Sequence, residues 1–215
     1  SRMVFKAIKV DPGFPPTPMR LWRASSLGEA ITVLKRGGVV VFPTETAYGL
    51  AADARNAEAV ERVFQIKGRA DDKTLPLIAA DRAMVERVAG IPGTLADLAD
   101  RHWPGPLTLI LPVIGDAVAP AVIRNGEIAI RVSSHPIAAA LSRGLGAPIV
   151  STSANRSGGS SCYSVKDVKA QFLDQEIQPD YYLDGGVLDP ALPSTIVSLD
   201  DYGYPEILRQ GAIEI

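Results

Sequence analysis

The alternation of apolar and polar positions changes period several times along this chain, and each change marks an element. Residues 25–36, SSLGEAITVLKR, suit a first helix with Ser26 as N-cap, stopped by Gly37 and Gly38. The next stretch, Gly38 to Leu50 (GVVVFPTETAYGL), starts with an apolar run that predicts a buried strand over 39–42. It turns at Pro43 and sets out Thr44, Glu45, Thr46 and Tyr48 before closing on Gly49, which reads as a polar turn or as the floor of a small-molecule site. Asn56 suits the cap of a helix through Lys67, with Val60, Val63 and Phe64 on one apolar face and Gly68 as its stop. Residues 75–80 (LPLIAA) and 107–113 (LTLILPV) read as strands, and 82–89 and 94–101 as helices.

Residues 127–134 (EIAIRVSS) alternate, with Ile128, Ile130 and Val132 pointing one way and Ala129, Arg131 and Ser133 the other. A short helix over 136–143 accommodates Pro136 in its first turn. APIVSTSANRSGG is a strand that breaks into a Ser/Gly-rich loop, and SVKD at 164–167 has capping-box spacing for a helix to about Leu173. The segments YYL, STIVSL and EILRQGAIEI read as closing strands. Strands and helices interleaved without a break in composition predict one α/β domain over 25–215. Residues 1–24, with the extended stretch DPGFPPTP, form an N-terminal lead-in.

Composition narrows the function classes. The 215 residues, 47% hydrophobic and 21% charged, are ample for one buried core. No apolar run reaches the ~18 residues that span a bilayer, and no basic-then-apolar leader opens the sequence. Cys162 is the only cysteine, so no internal disulfide forms, and a cytoplasmic location is expected. With two distant histidines and no paired cysteines, a metal cage built from side chains alone is not expected. A net charge of −2 argues against a dedicated nucleic-acid binder while leaving room for a local basic pocket.

Three constellations remain. Lys67-Gly68-Arg69 puts two cations at a helix end, where they converge on a phosphate or merely complement the helix dipole and face solvent. Ser151-Thr152-Ser153-Ala154-Asn155, followed by Ser157-Gly158-Gly159, offers hydroxyls, an amide and backbone N–H groups after a buried strand, as a polyanion site requires; a plain loop reads equally well. Arg131, in mid-strand opposite three aliphatics, must reach water or meet an anion, and Arg209 repeats the pattern near the C-terminus. No phosphate-loop or dinucleotide fingerprint is present, so any nucleotide is held by another geometry.

The order of the motifs is more specific than any one of them. FPTETAYGL, KGR, WPGPLTLILP, IAIRVSSHPIAAAL, PIVSTSANRSG, PSTIVSL and ILRQGAI, taken in sequence, resemble the YrdC-like threonylcarbamoyl-AMP synthase family over roughly Ser25 to Ile213. The chain closely resembles the short, single-domain bacterial form, and the extra C-terminal domain of longer relatives is not expected. The resemblance implies a twisted mixed parallel and antiparallel sheet with flanking helices, opening into a wide, positively lined cavity. It implies an enzyme that condenses L-threonine, bicarbonate or carbon dioxide, and ATP into threonylcarbamoyl-adenylate and pyrophosphate. Partner proteins then pass the group to adenosine 37 of tRNA. By the same resemblance Lys67, Arg69, Ser153, Asn155 and Arg209 contact ATP, with Lys67 and Arg69 as the catalytic cations. Thr44, Ser151 and Ser194 contact threonine, and Arg131 its carboxylate. Mg²⁺ arrives with the phosphates, with no permanent protein-bound metal. The sequence departs from the family at RADDKTLPLIAA, where Lys73 stands in place of an asparagine and Ala80 roughly in place of a histidine. The alternatives are a tRNA or double-stranded-RNA binding module without catalysis, and a carbamoyl-adenylating domain of hydrogenase-maturation type; no membrane partner is expected.

Overall fold

Val39 and Val41 pack into one apolar cluster while Val40 and Phe42 pack into another, so the first strand is covered on both faces. The computed structural model describes residues 24–68 and 74–215. The predicted lead-in falls outside them except for its last residue, as do Arg69 and Lys73. In chain order the elements are α1 (Ala24–Lys35), β1 (Val40–Pro43), β2 (Tyr48–Asp53), α2 (Ala57–Lys67), β3 (Leu77–Ala79), α3 (Arg82–Val88) and α4 (Gly93–His102). They continue with β4 (Leu107–Pro112), a 3-10 turn at Pro120–Val122, β5 (Glu127–Val132), α5 (Pro136–Leu145), β6 (Ile149–Ser153) and α6 (Val165–Phe172). The last three are β7 (Tyr181–Tyr182), β8 (Thr195–Leu199) and β9 (Pro205–Arg209). The nine strands among the described residues join one mixed sheet in the order β7-β1-β2-β6-β3-β5-β4-β8-β9.

Local chemistry explains most of the element ends. Asn56 accepts from the Ala59 amide to start α2, and Gly68 ends that helix in the left-handed conformation. Ser164 accepts from the Asp167 amide at α6, and His135 Nδ1 accepts from the Ile137 amide at α5, where Pro136 occupies the first turn. Two expectations change. The first helix begins at Ala24, so Ser26 is not its cap but a buried residue of its first turn. The segment after the TETA turn is a strand, paired antiparallel to β1 with Val40 opposite Ala51 and Pro43 opposite Tyr48. Its sequence, YGLAAD, is poor in β-formers, which hides it from a propensity reading. Packing selects it instead: a Cβ on Gly49 would stand 3.0 Å from the Phe42 ring and 3.2 Å from the Thr152 carbonyl, closer than a side chain tolerates.

The two faces of the sheet are covered unequally, and this places the site. One face carries α2, α3, α4 and α6 over the larger core, which takes Leu107, Leu109 and Leu111 of β4 and Ile128, Ile130 and Val132 of β5. On the other face α1 and α5 pack over β1, β2 and β3, with Leu34, Ile137, Leu141 and Leu145 against Phe42, Ile78 and Ile149. The residues of β5 and β4 that alternate toward this second face, Ala129, Arg131, Thr108 and Ile110, line an open cavity instead of a core. No helix among the described residues is long and apolar enough to cross a membrane.

Candidate active site

The cavity encloses about 620 Å³ and gathers residues from six strands and the turns between them. Of the residues singled out from the sequence, Thr44, Arg131, Ser151, Ser153, Ser194 and Arg209 line it together. Those positions are spread over most of the chain, and β6 lying beside β3, then β5, β4, β8 and β9, brings them to one surface. A volume of this size accommodates a small ligand with a few polar anchors.

Arg131 lies in mid-strand on β5, 6% exposed, with its Nε 3.1 Å from Glu45 Oε1. The two atoms attract by charge but are not aligned as a hydrogen bond, and both are buried. Of the two outcomes its position allowed, water or an anion, the guanidinium meets an anion, and that anion comes from the TETA turn. Ser133 Oγ donates to the other carboxylate oxygen, Glu45 Oε2, and accepts from the His135 amide at 3.1 Å. Across the cavity, Arg209 donates through Nε and Nη2 to the Ser194 carbonyl at 3.0 and 2.7 Å, and through Nη2 to Ser194 Oγ at 3.0 Å. Burial, and then the charge of Arg131, hold the Arg209 pKa below its ordinary value. Two guanidinium groups that repel each other across a cavity form a site that an anion relieves. Ser194 Oγ also lies 2.8 Å from the Thr108 hydroxyl, a residue that sequence reasoning passed over although it faces away from three leucines of β4.

Thr44 is used differently from the expectation that its hydroxyl is open to a ligand. Its Oγ1 donates to the Ala47 carbonyl at 2.7 Å and accepts from the Thr46 and Ala47 amides at 3.1 and 3.2 Å, closing the turn. Thr46 lines the cavity beside it, half-buried. Tyr48, read from the sequence as part of a polar turn or of a site floor, reaches much further. Its hydroxyl accepts from the Gly185 amide and donates to the Gly186 carbonyl, both at 2.7 Å, tying β2 to the segment that leads to Ser194. Burial and the charge of Asp184 raise its pKa well above the phenol range.

Lys67 and Asn155 stand behind the cavity wall. Lys67 is 3% exposed, and its Nζ donates to the Ser153 carbonyl at 2.6 Å and the Asn155 carbonyl at 2.9 Å. Asn155 Nδ2 donates to the Arg156 and Gly159 carbonyls at 2.9 and 2.6 Å, folding the Ser/Gly loop back on itself. Through these bonds Lys67 fixes the loop whose leading residues, Ser151 and Ser153, line the cavity. Cys162 is buried, which raises its thiol pKa, and no cluster of three metal-ligating side chains occurs among the described residues.

The family model for Sua5/YciO/YrdC, described as telomere recombination, matches residues 32–211. The chain belongs to this family. It is 41% identical over 189 residues to the threonylcarbamoyl-AMP synthase of Bacillus subtilis, an alignment covering 87% of this chain and 54% of that protein. The threonylcarbamoyl-AMP synthase of Vibrio vulnificus is 37% identical over 190 residues, covering 87% of this chain and 99% of its own length. Among solved structures, Sua5 of P. abyssi complexed with L-threonine superposes with a TM-score of 0.78 at 38% identity, over 86% of this chain and 54% of that one. This family member therefore spans about half the length of the Bacillus and P. abyssi relatives and nearly all of the Vibrio one.

Proposed function

We propose that this Sua5/YciO/YrdC-family chain is an L-threonylcarbamoyladenylate synthase. It joins L-threonine, carbon dioxide derived from bicarbonate, and ATP, and releases pyrophosphate. The observation that carries the reading is the convergence of Arg131 and Arg209 with Ser151, Ser153 and Ser194 on one cavity. The likeness to named synthases supports the same reading.

The chemistry requires no protein nucleophile. The free amine of threonine adds to carbon dioxide, the resulting carbamate oxygen attacks the α-phosphorus, and pyrophosphate leaves. The protein contributes by orienting the reactants and by placing positive charge where negative charge builds up. In this reading the terminal nitrogens of Arg131 take the threonine carboxylate, with Ser151 and Ser194 at its side. Arg209 and Ser153 face the nucleotide, with Arg69 completing the phosphate contacts. Lys67 and Asn155 hold the loop that presents Ser153, so their part in ATP binding includes shaping the site. Mg²⁺ belongs to the substrate, carried on the phosphates. The product is reactive and passes to tRNA-modifying proteins, which places the enzyme in the cytoplasm.

Incubation of the purified chain with ATP, Mg²⁺, L-threonine and bicarbonate, followed by mass analysis, tests the proposal. The expected product is the mixed anhydride, with stoichiometric pyrophosphate. Failure to consume ATP in the presence of threonine, together with RNA binding that weakens steeply with salt, would replace the synthase by the RNA-binding alternative.

A further inference from the structure

Arg131 is held in a way its proposed task does not by itself require. A carboxylate beside an arginine commonly takes two of its nitrogens in a parallel fork. Glu45 instead makes its closest approach at Nε, at 3.1 Å and off the hydrogen-bonding axis, and no hydrogen bond joins it to the outer end of the guanidinium. Neither terminal nitrogen of Arg131 is hydrogen bonded among the described residues, and the residue lines the cavity. Glu45 is itself held from behind by the Ser133 hydroxyl, and its side chain is 14% exposed against 7% for that of Arg131. Glu45 is not among the cavity-lining residues.

We infer that Glu45 is the positioning residue for Arg131, aiming the terminal guanidinium nitrogens at a carboxylate in the cavity and so setting affinity for the amino-acid substrate. This rests on the synthase reading for the identity of that substrate. The physical case has two parts. A buried guanidinium without a counter-charge is costly and swings toward water, whereas a carboxylate at Nε keeps it in place and leaves its other edge unused. The charges also keep two anions apart: Glu45 lies beside Arg131, whereas Arg209 has no carboxylate within ion-pair reach among the described residues and keeps its charge for the nucleotide. Burial first, and then the charge of Arg131, lower the Arg209 pKa.

The test is steady-state kinetics and direct binding with Glu45→Gln, which keeps the size of the side chain and removes its charge. The KM for L-threonine should rise roughly tenfold, the size of effect expected when one charge-assisted contact is misaligned, while kcat and the KM for ATP change by less than about threefold. A defect in general packing would move all three together. Calorimetric binding of L-threonine and of L-threonine methyl ester adds a readout independent of turnover. The variant should weaken binding of the acid and leave binding of the ester, which lacks the carboxylate charge, as in the wild type. Ser133→Ala, which removes the support behind Glu45, should shift the threonine KM in the same direction by a smaller factor, and it carries the test if Glu45→Gln does not fold. Wild-type threonine KM in both variants, or equal loss of acid and ester binding, overturns the positioning role. A wild-type chain that neither binds threonine nor consumes ATP would overturn the synthase reading instead.

Discussion

Replacing Lys67 with methionine separates a lysine that only touches a nucleotide from one that also holds the wall of its site. The substitution keeps the length and most of the volume of a side chain that is 3% exposed, so little cavity is opened. It removes the cation from the Ser153 and Asn155 carbonyls, which Nζ reaches at 2.6 and 2.9 Å. Each buried acceptor left without a donor costs about 1–3 kcal/mol. Ser153 and Ser157 are exposed, so water reaches part of this loop and offsets some of the loss. The Ser153 carbonyl keeps the Asn155 amide at 2.9 Å, so the Asn155 carbonyl is the acceptor left without a donor, and the net expectation is a destabilisation of about 1–3 kcal/mol. In a chain of 215 residues this lowers Tm by roughly 2–12 °C. Thermal unfolding followed by circular dichroism, backed by urea titration, measures it, with ATP-dependent pyrophosphate release assayed on the same samples at a temperature where the variant is folded. Loss of both stability and activity is expected. A variant within about 0.5 kcal/mol of wild type, the range of an ordinary surface substitution, would refute the structural role of this ammonium.

Other substitutions probe separate parts of the site. Tyr48→Phe leaves the Gly185 amide and Gly186 carbonyl without their hydroxyl partner, so stability should fall by about 1–3 kcal/mol and hydrogen exchange at Gly185 should accelerate. Gly211→Ala places a Cβ 2.2 Å from the Pro193 carbonyl oxygen, a backbone atom that cannot step aside; a loss of about 2 kcal/mol or more is expected in urea unfolding, with Ser194 displaced. Burial lowers the His135 pKa while Glu45 opposes the shift, and the neutral ring caps α5 through Nδ1. The unfolded chain therefore binds that proton more readily, so this stabilisation is complete above the unfolded value of 6.5 and is lost as pH falls from there through the lowered folded value. Urea midpoints measured across that window should decline toward acid, and His135→Asn, which can still cap, should flatten the decline. Serine differs from threonine by one methyl, worth only about 1–3 kcal/mol of discrimination in an apolar niche, so serine should support slow pyrophosphate release; equal rates for the two would rule out a methyl niche.

Much of the fold was legible from local sequence. The caps at Asn56, Gly68 and Ser164 lie where their side chains or backbone freedom predict, because each acts within a few residues of itself. The alternation across 127–134 correctly separated Ile128, Ile130 and Val132 from Ala129 and Arg131, because a strand offers only two directions. Even the choice before Arg131, to reach water or meet an anion, was readable from its setting opposite aliphatics. Only the tertiary structure decided which anion: Glu45 and Ser133, 88 residues apart, meet because β1 and β2 lie on one side of β6 and β5 on the other side of β3. Strand order has no local signature, since any strand of suitable pattern offers its neighbours the same backbone groups. The same non-local pairing turned Lys67 into a brace for a loop 86 residues away and sent Tyr48 across to Gly186, while the short hydrogen bonds around Thr44 used up a hydroxyl that composition alone left open. Residue type and period therefore settled which side chains could do chemistry. Folding settled which of them face the cavity and which hold those that do, because a polar group's role depends on the partners that distant chain brings to it.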